Sequence, residues 1–163
     1  MNINSDVTIL VVDDNKENLS VVGNIFKDIG YKLAFALSGK DALEILETTP
    51  ITLILLDIMM PGMDGFEVCY TLKENPKTKD IPIIFLTAKT ETDDIVTGFL
   101  IGGVDYLTKP FRKEELICRV NNHIELIKAK RTIQRQADEL RKSNKFLMSS
   151  LQGLGKLISP KKQ

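Results

Sequence analysis

Four short stretches carry groups able to do chemistry, and each follows an apolar run. Asp13-Asp14 closes "ILVVDDN", Asp57 closes "LILLD" in "LILLDIMMPGMDG", Thr87 stands in "FLTA" and Lys109 in "DYLTKPF". Asp57 poses the sharpest question, because a run apolar enough to be buried on both faces ends in a carboxylate whose burial alone is costly. Three carboxylates held together repel one another unless a cation joins them. Oxygen-only ligands suit a hard ion, and Mg²⁺ characteristically takes one or two carboxylates beside water and phosphate oxygens. With a lysine opposite, part of the charge is offset and Asp57 is poised to act as a nucleophile. Phosphoryl transfer needs that combination: an attacking oxygen, and positive charge around the equatorial oxygens.

Those groups need elements that bring them to one place. Short apolar runs at 7–12, 31–37, 51–57, 81–87 and 104–108 read as strands, each followed by a helix-period segment. The first helix reads from Lys16 to a stop at Gly30, and the second has Ser38 as N-cap. The third runs over 65–75 and is stopped by Pro76. The fourth runs over 91–103 and ends in two glycines, and the fifth begins after Pro110. Five β-α units in alternation predict an α/β fold: a five-stranded, doubly wound parallel sheet with helices on both faces. Right-handed crossovers put every strand's C-terminal end on one edge, so the five candidate groups share a rim.

The four stretches, in this order and at these spacings, resemble the receiver domain of two-component response regulators over residues 6 to 125. The resemblance implies a flavodoxin-like sheet of order 2-1-3-4-5. It implies that Asp57 is the phosphoacceptor, taking a phosphoryl group from a histidine kinase. Asp14 is then the direct metal ligand, Asp13 holds metal-bound water, and the Met59 carbonyl completes the protein's share of an Mg²⁺ site with Asp57. Thr87 hydrogen-bonds a phosphoryl oxygen, Lys109 pairs with another, Tyr106 is an aromatic switch, and the Lys109–Pro110 bond is cis. The product carries added charge that draws Thr87 inward and shifts the fourth helix, a population shift that a partner reads. Such a protein is not an enzyme in the usual sense, although it catalyses phosphorylation and dephosphorylation at Asp57. Met59 and Lys89 depart from plainer patterns of the family and bear on water access to the acyl phosphate.

Other readings compete. Asp14-Asn15-Lys16-Glu17 is a plausible capping box, Thr87 a plain strand residue, Tyr106 a core residue and Lys109 a solvated one. Gly62, Gly65 and Pro61 serve the turn after Asp57. His123, the single histidine, is expected to be structural or exposed, and Cys69 and Cys118, with no metal-like spacing, to be buried small hydrophobes. A haloacid-dehalogenase-like phosphatase would carry its nucleophile on the first strand in a DxD pattern. A flavodoxin-like electron carrier would need a glycine- and hydroxyl-rich loop where "DDNKEN" stands. A receiver-like scaffold or dimerisation module that is never phosphorylated is the remaining alternative.

The chain has 163 residues, 43% hydrophobic and 27% charged, which suits one domain and an appendage. Its zero net charge conceals a division. Residues 1–127 carry 12 Lys and Arg against 20 Asp and Glu, a net of −8, and residues 128–163 carry 10 against 2, a net of +8. The expected division is a receiver over 1–125 and a basic helical extension over 126–163. In the extension Leu126, Ile133, Leu140, Leu147 and Leu154 recur every seven residues as d positions. Their a partners are His123, Lys130, Ala137, Asn144, Leu151 and Ile158, which predicts a parallel two-stranded coiled-coil homodimer through 126–152. Gly153, Gly155 and Pro160 predict that the helix stops near 152. No apolar run is long enough to span a bilayer and no secretory signal opens the chain, so a cytoplasmic protein is expected. Direct DNA binding is not expected, and the sequence names no downstream partner.

Overall fold

The computed structural model describes residues 6–88 and 92–158. Lys89 and Pro160 lie outside the described residues. Ten elements alternate along the chain: β1 Thr8–Val12, α1 Lys16–Phe26, β2 Lys32–Ala36, α2 Gly39–Thr48, β3 Leu53–Leu56, α3 Gly65–Glu74, β4 Ile83–Thr87, α4 Thr92–Leu100, β5 Asp105–Thr108 and α5 Lys113–Ile158. All four strand pairs are parallel, and the sheet order is β2-β1-β3-β4-β5. The doubly wound architecture expected from the alternation is therefore present. The central strands β3 and β4 are buried at every position, as parallel strands covered on both faces must be. Edge strand β2 is buried only at Ala36.

Several boundaries differ from the sequence reading. Helix α1 ends at Phe26, with Gly30 in a left-handed turn at φ +86° beyond it. Helix α4 ends at Leu100 rather than 103. The expected cap at Asp14 is replaced by Asn15, whose extended backbone lets its side chain accept the Glu17 amide at 2.8 Å. Ser38 caps α2 as expected. Asp64 and Glu67 form a reciprocal capping box on α3.

The chain divides into two compact units, residues 1–124 and 125–163. The first contains the sheet, with Ile9, Leu53, Ile54, Leu55, Ile83 and Ile84 fully buried. Cys69 is buried in it, and burial pushes its thiol up to about 11. Cys118 is exposed, contrary to expectation, because it sits on an outward face of α5.

The second unit is helical from residue 125 to Ile158. The helix does not stop near 152. Gly153 and Gly155 have nothing within 4 Å of a notional Cβ, and a glycine costs a helix only ~1 kcal/mol, too little to break a run this long. Leu126, Ile133, Leu140, Leu147 and Leu154 are 54–67% exposed. Seven-residue spacing puts them on one slowly drifting helix face. No helix among the described residues is long and apolar enough to cross a membrane.

Candidate functional site

Backbone hydrogen bonds that continue the sheet past the strand ends position the site residues. The Asp13 amide donates to Ala36 on β2 at 3.1 Å, the Asp57 amide to Val12 on β1 at 2.9 Å, and the Lys109 amide to Thr87 on β4 at 2.9 Å. Each candidate residue just beyond a strand is thus fastened to the strand beside it. The loop after Asp57 folds back sharply: Gly62 adopts φ +78° and the Gly65 amide bonds the Ile58 carbonyl at 2.9 Å. A Cβ on Gly65 would lie 2.3 Å from the Asp57 carbonyl oxygen. Glycine is required there, because α3 starts in direct contact with the backbone that carries Asp57.

The carboxylates of Asp13, Asp14 and Asp57 offer oxygens that all lie within 4.8 Å of one another. Asp13 and Asp57 are buried, at 4% and 7% exposure, and Asp14 is exposed. Lys109 bridges the two buried acids, with Nζ 2.5 Å from Asp13 Oδ2 and 2.8 Å from Asp57 Oδ2. The other Asp57 oxygen accepts the Met59 amide at 3.0 Å. Burial pushes the Asp57 carboxyl above its ordinary value and the Asp13 charge adds to this, while Lys109 and the Met59 amide pull against it. Burial alone would lower Lys109, but its bonds to Asp13 and Asp57 and their charges outweigh that and raise it. The donor set is three hard carboxylates, two of them bonded to one ammonium, a chemistry that fits a divalent hard cation.

Thr87 is fully buried at the end of β4. Tyr106 is 8% exposed and belongs to the core, its ring 6.4 Å from Phe85. Burial raises its phenol above the ordinary value, with Asp94 and Asp57 adding to the shift. The Lys109–Pro110 bond is cis. The Met59 side chain is 56% exposed.

Two groups were missed in the sequence. Asn18 donates its Nδ2 to both Asp13 oxygens, at 3.0 and 2.9 Å. Recognising Asn15 as the N-cap would have placed Asn18 in the first turn, with its side chain tilted back toward the helix start. Asp105 accepts Arg119 Nη1 at 2.7 Å and lies 3.2 Å from His123 Nε2, which ties β5 to α5. His123 is thus structural, engaged within the first unit.

Beside the acid cluster lies a cavity of about 400 Å³, lined by Val21, Val22, Leu86, Pro110 and Phe111 together with Asp13 and Lys109.

A probable cyclic di-GMP phosphodiesterase of Vibrio cholerae is 43% identical to this chain over 136 residues, covering 83% of this chain and 31% of that protein. Response regulator SaeR of Staphylococcus aureus is 39% identical over 115 residues, 70% of this chain and 49% of that protein. The chain therefore spans between about a third and a half of the curated relatives it matches. The crystallised chemotaxis protein CheY4 of Vibrio cholerae superposes with a TM-score of 0.68 at 29% identity, covering 71% of this chain and 97% of that one. The response regulator receiver domain family model matches residues 9–121, and the chain belongs to that family, whose general function is a phosphorylation-dependent switch in two-component signalling.

Proposed function

We propose that Asp57 is the phosphoacceptor of this receiver and that the acquired charge alters how the chain meets its partners. The observation that carries the reading is the Lys109 ammonium lying within 2.8 Å of Asp57 and 2.5 Å of Asp13, in a cluster of three carboxylates. Asp14 and Asp57 would hold Mg²⁺ directly, with the Met59 carbonyl, and Asp13 would hold it through water. When bound, the ion supplies positive charge to the equatorial oxygens of the phosphoryl group.

The chain's own residues do the rest. One carboxylate oxygen of Asp57 attacks the phosphorus of a phosphohistidine on the kinase, the bond to the histidine nitrogen breaks, and the electron pair leaves with that nitrogen. Lys109 moves from the carboxylate pair to a phosphoryl oxygen and replaces lost interactions with stronger ones to the added charge. The Thr87 hydroxyl takes another oxygen. Tyr106, opposite Phe85 on the strand that pairs with the one carrying Thr87, adjusts with it and biases the α4 surface, where Phe99 and Leu100 are 49% and 82% exposed. The kinase is the phosphodonor, and the cytoplasm is where the two would meet.

The extension supplies the second part of the reading. A bare helix carrying five seven-spaced apolar residues is poorly satisfied alone, and a parallel homodimer through 126–152 buries four of them, Leu126, Ile133, Leu140 and Leu147. Asn144 at an a position favours two strands in register. Incubating the chain with acetyl phosphate and Mg²⁺ and weighing it tests the core of the proposal. One phosphoryl adduct, lost in Asp57→Asn, supports it. No adduct in the wild-type chain overturns it and leaves the unphosphorylated scaffold.

A further inference from the structure

Asp13 is held by more donors than its partner across Lys109. Its Oδ1 accepts the Asn15 amide at 2.9 Å and Asn18 Nδ2 at 3.0 Å, and its Oδ2 accepts Asn18 Nδ2 at 2.9 Å and Lys109 Nζ at 2.5 Å. Among the described residues Asp57 takes the Met59 amide and Lys109. A carboxylate offers about four lone-pair sites, and three protein donors meet the Asp13 oxygens in this arrangement. Of these contacts, Lys109 is the one shared with Asp57 and the one an incoming phosphoryl oxygen would draw away. The Asn15 amide grips a single oxygen and leaves the carboxylate free to turn about its Cβ–Cγ bond. Asn18 spans both oxygens and removes that freedom. It does so without charge, whereas a lysine or arginine at this position would compete with any cation.

We propose that Asn18 is a positioning residue that fixes the plane of the Asp13 carboxylate for the divalent ion. This deepens the phosphoacceptor reading and rests on it. Groups that orient metal ligands from behind typically change metal affinity by roughly 10–100-fold when removed. Asn18 reaches Asp13 because Asn15 starts α1 three residues earlier and helix side chains tilt toward the N-terminus.

The test is Mn²⁺ binding to the full chain by electron paramagnetic resonance, with Mg²⁺ as competitor. Asn18→Leu keeps the side chain's approximate volume and loses the N–H donors. Its Mn²⁺ dissociation constant is expected to rise roughly 10–100-fold, while the thermal midpoint in chelator shows that the variant is folded. In an Asp13→Asn background the same substitution is expected to change the constant less than about twofold, because the route through Asp13 is already cut. Asn18→Ser, too short to span both oxygens, provides the same reading if the leucine variant fails to fold. A folded Asn18 variant that binds Mn²⁺ within about twofold of wild type overturns the proposal, as does an undiminished effect in the Asp13→Asn background. Wild-type protein that binds no Mn²⁺, or whose binding ignores Asp57→Asn, overturns the phosphoacceptor reading itself.

Discussion

Ile54 and Ile133 are the same residue in opposite circumstances. Ile54 lies in β3 with no solvent exposure, whereas Ile133, on the helix of the second unit, is 67% exposed. In the first unit apolar side chains meet partners within the unit, and the charged groups at the sheet edge hold fixed geometry. In the second, apolar side chains recur with equal regularity and meet solvent. The regularity alone does not distinguish the two; what differs is whether the chain itself supplies the other surface. A β-α alternation does so through the neighbouring strand and covering helices, while a lone helix supplies no second surface of its own.

The largest effect that separates the regions comes from one substitution made twice. Ile54→Ala is expected to lower the stability of the first unit by about 2–5 kcal/mol in urea denaturation, through lost burial and the cavity left behind. Ile133→Ala is expected to leave that transition in place and weaken self-association in sedimentation equilibrium at least about tenfold, given ~1.5–3 kcal/mol for each side chain buried. Equal loss of stability from both would erase the distinction.

A pH dependence comes next, and belongs to the first unit. Because burial raises the Asp57 carboxyl, the folded chain holds that proton more tightly than the unfolded chain does. The associated stability is therefore present below the ordinary carboxyl value of 3.8 and is lost as pH rises through the raised one. Thermal midpoints in chelator should show Asp57→Asn more stable than wild type at neutral pH, with a flatter approach from acid. Parallel wild-type and variant profiles would show that Asp57 is not strained by burial.

Ionic pairs give smaller effects and sharpen the same contrast. Arg119 is anchored on Asp105 at 2.7 Å with its side chain 36% exposed, so Arg119→Ala is expected to cost about 1 kcal/mol or less after solvent screening. Arg141 stands 3.8 Å from Asp138 with 80% of its side chain exposed. Arg141→Ala should leave the urea midpoint unchanged within error, since exposed i,i+3 pairs contribute little.

The architecture was legible because hydrophobic runs, helix-period segments and turn residues agree along the first 125 residues, and agreement between levels specifies a fold. The rim was legible for a related reason. In a parallel sheet, residues just past the strands are neighbours by topology, so Asp13, Asp57 and Lys109 converge although 96 positions separate the first from the last. Contacts that topology does not force stayed hidden. The tie from Asp105 to Arg119 and His123 crosses 14 and 18 positions, and nothing local in either segment announces it. Asn18 is obscured in the sequence because Asp14 suits a cap as well as Asn15 does, and the helix end because Gly153 and Gly155 resemble a stop signal. Exposure at Cys118 could not be read from its type, since cysteine behaves as a small hydrophobe wherever a core receives it.

The most direct measurement of the central claim locates the phosphoryl group rather than merely detecting it. The wild-type chain is incubated with acetyl phosphate and Mg²⁺, the acyl phosphate is trapped by borohydride reduction, and the digest is sequenced by mass spectrometry. The expected result is modification at Asp57 alone, dependent on the metal and strongly reduced in Lys109→Ala. Modification at another carboxylate, or at none, would contradict the account.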